Sequence, residues 1–403
     1  MKVLVIDEWL PWPLDSGKRI RTYNLMRRLA QWHEIVFLAY ADTARENDKI
    51  GALEKAGIRV WPVEDVRISK WSLRFYISVI RNFLSKEAFS TIYHITPALR
   101  NAVRKAIEKE EPALVHCEWT NLAPVLDEVS GLPRVISSHN IESRIWERLG
   151  QSGSNVFYRV LGRHQARKIE ALERKWYPLV ERCIAVSLDD QKIIEHYGGR
   201  AILVDNGVDF DYYGHTHETI EPKTLVFTAS FDTFSNQEAV TYFVQDIFPL
   251  IKAVDPGVKL WLVGKDPPKK IVKYGELDQS ITVTGTVPDV REYVAKADIC
   301  IVPIRIGGGS RLKILEALAM KKAVVSTSVG AEGLRVEHQK NIMLADTPDR
   351  FASEVLKLVN DPQRKKNLGE NGRELVGREY DWNLLARGLS DVWVSLKVSQ
   401  IND

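Results

Sequence analysis

Short apolar runs alternate with helical patterns along almost the whole 403-residue chain. In the first half, the candidate strands are Val3–Ile6, Ile35–Ala39, Val60–Val63, Leu114–Cys117, Arg134–Ser137 and Cys183–Val186. The helical patterns between them include Arg19–Trp32, Ala44–Ala56, Pro97–Glu110 and Tyr158–Tyr177. Parallel strands need long crossover connections, which helices usually supply. The alternation therefore predicts a parallel sheet that is covered by helices on both faces.

The same alternation restarts after a polar segment, DNGVDFDYYGHTHETIEPKT (205–224), which is rich in turn formers and has no periodicity. The second set of candidate strands is Leu225–Ala229, Lys259–Val263, Ile281–Thr284, Ile299–Pro303, Ala323–Ser326 and Ile342–Ala345. The second set of helical patterns is Gln237–Val254, Val290–Ala297, Leu312–Met320 and Arg350–Asn360. The polar segment is therefore interpreted as a linker between two similar α/β halves.

A chain of this length is too long for one hydrophobic core and suits two domains of about 200 residues each. The pattern predicts two doubly wound, Rossmann-like domains at residues 1–204 and 223–379, joined by a linker at 205–222. Residues 380–403 are predicted to form an appended helix that packs back on the first domain. Because ligands bind beyond the carboxyl ends of the strands in open α/β sheets, we expect a site in a cleft where the two domains face each other.

Composition argues against several classes of protein. The formal net charge of +3 is too small to indicate a nucleic-acid partner. The three cysteines, Cys117, Cys183 and Cys300, lie far apart in apolar runs, which favours buried thiols over a disulfide framework. No signal peptide is recognised, and no apolar run approaches the ~20 residues of a membrane span. We therefore expect a cytoplasmic protein.

The stretch IGGGSRLKILEALA (306–319) runs three glycines straight into an amphipathic helical pattern. It follows an apolar run, so that strand, glycine turn and helix come in the order that builds an anion site from backbone N–H groups. We expect the N–H groups of Ser310, Arg311 and Leu312 to open the helix and to attract a diphosphate. The side chains of Arg311 and Lys313 add positive charge at the same end.

Glu316 lies one turn further along the same predicted helix, on a stripe that is otherwise apolar. A carboxylate in such a place needs a partner. Ribose hydroxyls beyond a bound diphosphate would supply one, and so would Lys313, three residues earlier in the sequence. From the residues alone, both interpretations of Glu316 stay open.

The run PIRIGGGSRLKILEALAM (303–320), continued by AVVSTSVGAEGL (323–334), resembles the nucleotide-sugar segment of family 4 glycosyltransferases, also called group 1, which have the GT-B fold. In that family, two glutamates frame the donor site. The second matches Glu316, which the resemblance implies holds the ribose and acts in catalysis. The position of the first glutamate is occupied by Gly308, so this chain departs from the family's motif. It is similar to a variant of that motif with the sequence GGG-S-R-L-K. The resemblance implies donor contacts from Gly308, Gly309, Ser310, Arg311, Leu312, Lys313 and Glu316.

Two further segments resemble the same family, in the family's order. TASFDTFSN (228–236) is similar to the donor-phosphate loop, which implies a contact from Ser230. The Arg and Lys that usually follow this strand in the family are absent here, and the cations near the glycine turn are inferred to replace them. TGTVPDVR (284–291) is similar to the segment whose backbone contacts the base, which implies contacts from Gly285 and Val287.

Two polar segments follow predicted strands in the first half of the chain. PWPLDSGKRIRTYNLM (11–26) places Gly17 at a helix entry that suits an anion. The resemblance implies that this loop lies against the donor phosphate and the acceptor; a plain strand–helix loop is the alternative. SSHNIESR (137–144) contains His139, which is predicted to be catalytic through a hydrogen bond to the transferring sugar. Glu118, after the preceding strand, is a candidate for the acceptor site.

The resemblance implies a retaining glycosyltransferase that moves a sugar from a nucleotide diphosphate sugar to a glycan or lipid-linked acceptor, in cell-surface polysaccharide or glycoconjugate biosynthesis. Cations and a helix N-terminus can stabilise the leaving diphosphate without a metal. The D-x-D spacing at DFD (209–211) lies in VDNGVDFD (204–211), which is similar to the N-G-V-D of the family's interdomain crossing. We therefore expect no metal site and no cofactor besides the donor substrate. A catalytically degenerate GT-B nucleotide-binding scaffold, a GT-B nucleotide-sugar epimerase and a phosphorylase are the alternatives.

Two basic segments are rich in aromatic and apolar residues, WSLRFYISVIRNFLSK (71–86) and SNVFYRVLGRHQARK (154–168). Basic amphipathic helices can lie on anionic membranes, which would suit a lipid-linked acceptor and a peripheral position at the inner face of the membrane. Helices that pack on the core, with solvated Arg and Lys side chains at their rims, are the other interpretation.

Overall fold

The computed structural model describes residues 1–69, 72–152, 156–214, 219–306 and 311–402. The chain forms two compact units. Unit 1 comprises Met1–Asp205 and Leu385–Asp403, and unit 2 comprises Asn206–Leu384. Each unit is built on one sheet of parallel strands with helices between them, so the predicted α/β fold with two doubly wound sheets is confirmed.

The sheet of unit 1 has seven parallel strands: β1 (Lys2–Ile6), β2 (Glu34–Tyr40), β3 (Ile58–Val63), β4 (Leu114–Cys117), β5 (Arg134–Ser138), β6 (Arg182–Ala185) and β7 (Ala201–Leu203). Their spatial order is β3-β2-β1-β4-β5-β6-β7. The direction of strand addition reverses between β1 and β4, which pair directly with Val3 opposite Leu114. Ligands of doubly wound sheets bind beyond the carboxyl ends of the strands at such a reversal, the switch point.

The helices of the first 200 residues lie between these strands: α1 (Gly17–Leu29), α2 (Asn47–Lys55), α3 (Leu73–Asn82), α4 (Phe89–His94), α5 (Pro97–Glu110), α6 (Glu142–Ser152), α7 (Val156–Trp176) and α8 (Leu188–His196). Turns of 3-10 helix occupy Thr120–Glu128 and Tyr177–Leu179. Ser16, Thr96 and Ser187 begin α1, α5 and α8 by accepting a hydrogen bond from a backbone N–H three residues on. Such caps satisfy N–H groups that a helix leaves without an internal partner.

The sheet of unit 2 has six parallel strands: β8 (Thr224–Thr228), β9 (Lys259–Val263), β10 (Ile281–Gly285), β11 (Ile299–Val302), β12 (Ala323–Ser326) and β13 (Met343–Leu344). Their order is β10-β9-β8-β11-β12-β13, which repeats the arrangement of the first six strands of unit 1. The switch point lies between β8 and β11, where Leu225 pairs with Ile299. The two units therefore share one architecture, each with its own switch point.

The helices of unit 2 are α9 (Phe210–Gly214), α10 (Phe234–Tyr242), α11 (Phe248–Val254), α12 (Lys269–Leu277), α13 (Val290–Lys296), α14 (Leu312–Ala319), α15 (Pro348–Asn360) and α16 (Pro362–Glu379). The helix predicted at Gln237–Val254 is found in pieces, because a π-helical turn at Phe243–Ile247 separates α10 from α11. Pro249 lies in the first turn of α11 and has no N–H to continue a regular ladder. Helix α9 lies within the segment predicted to be a linker.

The last helix is α17 (Trp382–Asn402), and its residues from Leu385 on belong to unit 1. Trp393 is fully buried in unit 1, and its indole Nε1 donates a hydrogen bond to Nδ1 of the buried His116 at 3.0 Å. The hydroxyl of Ser390 lies 2.7 Å from Nε2 of His33. Among the residues described, no helix combines the length and the apolar character that crossing a bilayer requires.

Candidate functional site

A narrow pocket lies at the switch point of unit 2, beyond the carboxyl ends of β8 and β11. Its lining includes Thr228 and Val302 from the two strand ends, and Lys313 and Glu316 from α14. Tyr213 of α9 closes one side of it. The space holds about one water molecule. A larger ligand therefore enters only if a lining side chain moves.

The carboxylate of Glu316 points into this pocket. It is half-buried, and Oε1 accepts a hydrogen bond of 2.8 Å from the hydroxyl of Tyr213. Burial raises the pKa of the carboxyl, and the Tyr213 hydrogen bond and the nearby Lys313 partly offset that rise. The hydrogen-bond donor to Glu316 is thus a hydroxyl from a distant segment, while Lys313, the partner in the second interpretation from sequence, acts on Glu316 through its nearby charge. Burial also raises the pKa of the Tyr213 phenol.

Tyr213 is held in place through its neighbour on α9. Arg291 of α13 donates from Nη1 to the carbonyl oxygen of Tyr212 at 2.8 Å. The guanidinium of Arg291 also lies 3.6 Å from the centre of the Tyr212 ring, a cation–π contact. These contacts fix α9, which lies inside the segment that the sequence predicts to be a linker. Nothing in that segment's own sequence indicates a role in the pocket.

Lys313 is the cation of the pocket. Its Nζ donates to Oδ1 of Asn236 at 3.1 Å and lies 4.4 Å from the centre of the Phe227 ring. Burial lowers the pKa of its ammonium to about 8, against the opposing charge of Glu316. Asn236 in turn donates to the carbonyl oxygen of Ser230 at 2.7 Å. The structure therefore links two residues that the sequence predicts as donor contacts, Lys313 and Ser230, through one asparagine.

The other predicted contacts on the glycine turn divide into two groups. Gly308, Gly309 and Ser310 lie outside the described residues. Leu312 is the first residue of α14, and Arg311 precedes it in the cap position. The Arg311 guanidinium donates to Glu332, at 3.1 Å to the carbonyl oxygen and 2.9 Å to Oε2. Arg311 is thus already engaged by a carboxylate.

Gly285 and Val287, predicted to contact the base, lie at the carboxyl end of β10, two strands away from β8. Gly285 has φ +68°, a left-handed conformation that favours glycine. Its carbonyl oxygen accepts from the N–H of Gly264 at 3.3 Å, beyond β9. A Cβ added to Gly264 would lie 1.7 Å from the carbonyl oxygen of Ala229, beyond β8. The three strand ends therefore pack so closely that only glycine fits at Gly264, a position that none of the sequence motifs above includes.

The switch point of unit 1 holds two buried carboxylates and a half-buried ammonium. Asp7 and Glu8 follow β1, and the ammonium of Lys18 from α1 lies 2.6 Å from Oδ1 of Asp7 and also bonds Glu8. Burial raises the pKa of Asp7 well above its ordinary value. Burial acts the same way on Glu8, but Lys18 and Asp7 outweigh it and lower the pKa of Glu8 to about 2. Sequence reasoning misses this triad, although two acids directly after a strand are a signal that could reveal it.

His139 and Glu118, predicted separately, meet at the same edge of the sheet of unit 1. Nε2 of His139 lies 2.9 Å from Oε2 of Glu118, which also accepts from the hydroxyl of Thr22 at 3.2 Å. Burial lowers the pKa of His139, and the Glu118 hydrogen bond opposes that shift. Burial would raise the pKa of Glu118, but the His139 hydrogen bond and nearby positive charge bring it to about 2. Gly17 begins α1, the helix that carries Thr22 and Lys18.

Two other charged side chains of the segment 137–144, Glu142 and Arg144, lie on different sides of α6. Glu142 accepts a hydrogen bond from the indole Nε1 of Trp119 at 3.1 Å, and burial raises its pKa. Arg144 instead pairs with Glu147 on the exposed side of α6, with 2.9 Å between Nη1 and Oε2. The site of unit 1 thus combines carboxylates and an imidazole with the ammonium of Lys18, and all three kinds of group can form hydrogen bonds with hydroxyl groups of a ligand.

Two family models match the chain. The model described as Glycosyltransferase Family 4 matches residues 16–212, and the model described as Glycosyl transferases group 1 matches residues 222–361. Together they account for most of unit 1 and unit 2.

Curated relatives match over shorter segments. An uncharacterized glycosyltransferase of Methanocaldococcus jannaschii is 24% identical over 53% of this chain and 59% of its own length. A GDP-mannose-dependent alpha-(1-6)-phosphatidylinositol monomannoside mannosyltransferase of Mycobacterium tuberculosis is 29% identical over 36% of this chain and 41% of its own length. The chain therefore spans about half the length of the curated relatives it matches.

Solved structures match over nearly the full chain. A sucrose-phosphate synthase of Thermosynechococcus elongatus has a TM-score of 0.70 at 16% identity, covering 99% of this chain and 100% of that one. HepE of Anabaena in complex with UDP has a TM-score of 0.66 at 17% identity, covering 98% of this chain and 100% of that one. At these identities the likeness shows the fold, and it confirms the predicted GT-B class.

Proposed function

The chain belongs to the group 1, family 4 glycosyltransferases with the GT-B fold, and on that premise we propose that it transfers a sugar from a nucleotide diphosphate sugar to a glycan or lipid-linked acceptor. The observation that carries the proposal is the carboxylate of Glu316 at the switch point of unit 2. It already accepts an O–H hydrogen bond of 2.8 Å from Tyr213 in a narrow pocket. A ribose hydroxyl can take the place of that phenol.

The diphosphate of the donor is proposed to bind next to Glu316, at the start of α14. The helix N-terminus offers backbone N–H groups, and Lys313 offers a positive charge one residue further on. Both stabilise the charge that develops on the diphosphate when the sugar leaves, since they are fixed before the reaction begins. We propose that this suffices without a metal and that the donor is the one small molecule needed besides the acceptor.

The acceptor is proposed to bind at the switch point of unit 1. Glu118 and His139 lie there at the edge of the sheet, with Asp7 and Glu8 beyond β1. Carboxylates and imidazole accept hydrogen bonds from sugar hydroxyls, so this cluster suits a carbohydrate. We further propose that His139 is a catalytic residue and that the reaction retains the anomeric configuration. The proposed setting is the cytoplasmic part of cell-surface glycoconjugate synthesis. The name of the Mycobacterium tuberculosis relative, a mannosyltransferase for a phosphatidylinositol mannoside, supports the lipid-linked class of acceptor.

A thermal-shift screen with UDP, GDP and ADP tests the donor site. One of the three nucleotides should raise the temperature midpoint of unfolding. At a hundredfold excess over the dissociation constant, the free energy of unfolding should increase by about 2.7 kcal/mol. The shift should persist in EDTA. Glu316→Ala should weaken binding about tenfold or more, because a hydrogen bond to a charged group is worth roughly 1.5–3 kcal/mol. Arg311→Ala should weaken it less, because Glu332 already engages that guanidinium.

The matched control for the screen is Glu276→Ala, which removes an exposed carboxylate of α12 in the same unit. It should bind the nucleotide like the wild type. The proposal is wrong if none of the three nucleotides stabilises the wild-type protein. If a nucleotide binds and Glu316→Ala leaves its affinity unchanged, the donor site lies elsewhere. Nucleotide binding without any turnover of donor sugars would favour the degenerate scaffold.

A further inference from the structure

Helix α3 presents its large apolar side chains to solvent. Leu73, Tyr76, Ile77 and Ile80 have the i, i+3, i+4, i+7 spacing of one helix face, and they are 75%, 54%, 41% and 65% exposed. Leu84, just beyond the helix, is 94% exposed. A helix on the surface of a soluble domain normally turns such a stripe toward the core. Helix α3 instead turns its apolar stripe toward solvent.

The other face of α3 fixes the helix on unit 1. The ring of Phe75 packs edge-on against those of Phe89 and Tyr93, at 5.3 and 5.6 Å between centroids. At the end of the helix, the buried side chain of Asn82 accepts a hydrogen bond of 2.8 Å from Nε2 of Gln165. Turning the apolar stripe inward would break these contacts. The exposed stripe therefore belongs to a helix that is held in this orientation.

The beginning of α7 extends the apolar surface. The ring of Phe83 stacks on that of His164, with 4.8 Å between centroids, and so joins the end of α3 to α7. Val156 and Val160 precede His164 at four-residue spacing on one face of α7, and they are 66% and 53% exposed. We define the α3–α7 surface as the five exposed apolar residues of the α3 stripe and its extension, together with Val156 and Val160.

The charged residues of the two chain segments that form the α3–α7 surface have one sign, and the exposed Glu87 follows directly after the first segment. Residues 72–86 and 156–168 contain seven Lys and Arg residues and no carboxylate. The exposed cations are Arg74, Arg81, Lys86, Arg159, Arg163 and Arg167. The whole chain carries a net charge of only +3, so positive charge is concentrated here. A partner that covers this surface must be apolar and anionic at once.

We propose that the α3–α7 surface docks unit 1 onto an anionic lipid bilayer. The apolar stripe would lie at the boundary of headgroups and acyl chains, and the flanking cations would lie against lipid phosphates. A second copy of the chain fits less well, because a two-fold contact would place these cations against each other. A nucleic acid fits less well, because leucine and isoleucine side chains offer it no hydrogen bonds. Docking is independent of the proposed transfer reaction.

Sedimentation with lipid vesicles tests the docking. The full-length protein should bind vesicles of phosphatidylcholine with phosphatidylglycerol, bind pure phosphatidylcholine weakly, and lose binding as salt is raised. The double substitution Ile80→Glu and Leu84→Glu should weaken binding by about tenfold or more for each side chain. Because both side chains are exposed, the substitutions should leave the stability of the fold unchanged. The control, Leu277→Glu, removes an 84% exposed leucine of unit 2 and should bind like the wild type.

A second pair of variants tests the charges. Arg74→Glu, Arg81→Glu and Lys86→Glu, combined, should abolish the preference for anionic vesicles. Lys269→Glu, Lys270→Glu and Lys273→Glu, combined, change the net charge equally on the exposed side of α12 and should retain it. Loss of binding in both triple variants would show that net charge alone acts, and would overturn the proposed surface.

Three further outcomes would overturn the proposal. The first is equal binding to neutral and anionic vesicles, and the second is binding that survives Ile80→Glu with Leu84→Glu. The third is a wild-type dimer in lipid-free solution that this double variant converts to a monomer, which would make the surface a self-association face. The nucleotide thermal shift of the double variant should equal that of the wild type. A failure in the vesicle assay alone therefore leaves the proposed transfer function standing, and a failure in the nucleotide screen alone leaves the docking standing.

Discussion

At the scale of single residues, Glu316 depends on a contact that no local pattern contains. Glu316 and Lys313 follow a glycine turn at helical spacing, which is enough to predict both as ligand contacts. Tyr213, which donates to Glu316, is 103 residues away in the sequence, in a segment without periodicity. Asp7 and Glu8 likewise meet Lys18 only because β1 and α1 pack together. Sequence therefore predicts candidate side chains, whereas their partners, burial and pKa values depend on the fold.

Lys313 should make nucleotide binding depend on pH. Its pKa is lowered by burial to about 8, so its positive charge is lost as the pH rises through that value. We expect the affinity for the stabilising nucleotide, measured by calorimetry, to fall about tenfold from about pH 7 to about pH 9. Lys313→Gln should bind weakly throughout and show no such fall. Lys270→Gln, an exposed lysine of the same unit, should follow the wild type; a flat wild-type profile would contradict the role of Lys313.

At the scale of helices and strands, length and regular period decide what the sequence predicts. The alternation of apolar runs and helical patterns is sufficient to predict the long strands. Strand β7 has only three residues, too few to show a periodic pattern of apolar side chains. The π-helical turn between α10 and α11 is hidden inside one continuous apolar pattern. The amphipathic pattern of α3 predicts a helix but not the face it buries. That face is set by Phe75 packing on Phe89, a contact that the pattern does not encode.

Helix α17 should contribute to the stability of unit 1 through Trp393. Trp393→Ala removes a fully buried indole and should lower the free energy of unfolding by about 3–5 kcal/mol. Trp393→Phe keeps most of the ring but leaves Nδ1 of His116 without its donor, at a cost of about 1–3 kcal/mol. Urea unfolding measures both. Val394→Ala, on the exposed face of the same helix, should stay within about 0.5 kcal/mol of the wild type; an equal loss there would mean that the buried indole is not the cause.

At the scale of the whole molecule, two units with one strand order carry different chemistry. The switch point of unit 1 gathers carboxylates and His139, and that of unit 2 pairs Glu316 with Lys313. The alternation of patterns predicts both sheets, because it is a property of whole segments and tolerates local error. It does not predict the charge at each switch point, because residues from several distant elements contribute to each. The net charge of +3 also conceals the concentration of cations on α3 and α7.

Hydrogen–deuterium exchange, read by mass spectrometry with and without the stabilising nucleotide diphosphate, tests the donor site most directly. We predict slower exchange in unit 2 peptides that cover residues 210–214, 226–236 and 299–319, where Tyr213, Lys313 and Glu316 lie. Glu316→Ala should reduce this protection at the same nucleotide concentration, and Glu276→Ala should preserve it. Protection confined to peptides of residues 1–205, with residues 299–319 unchanged, would contradict the assignment of the donor site.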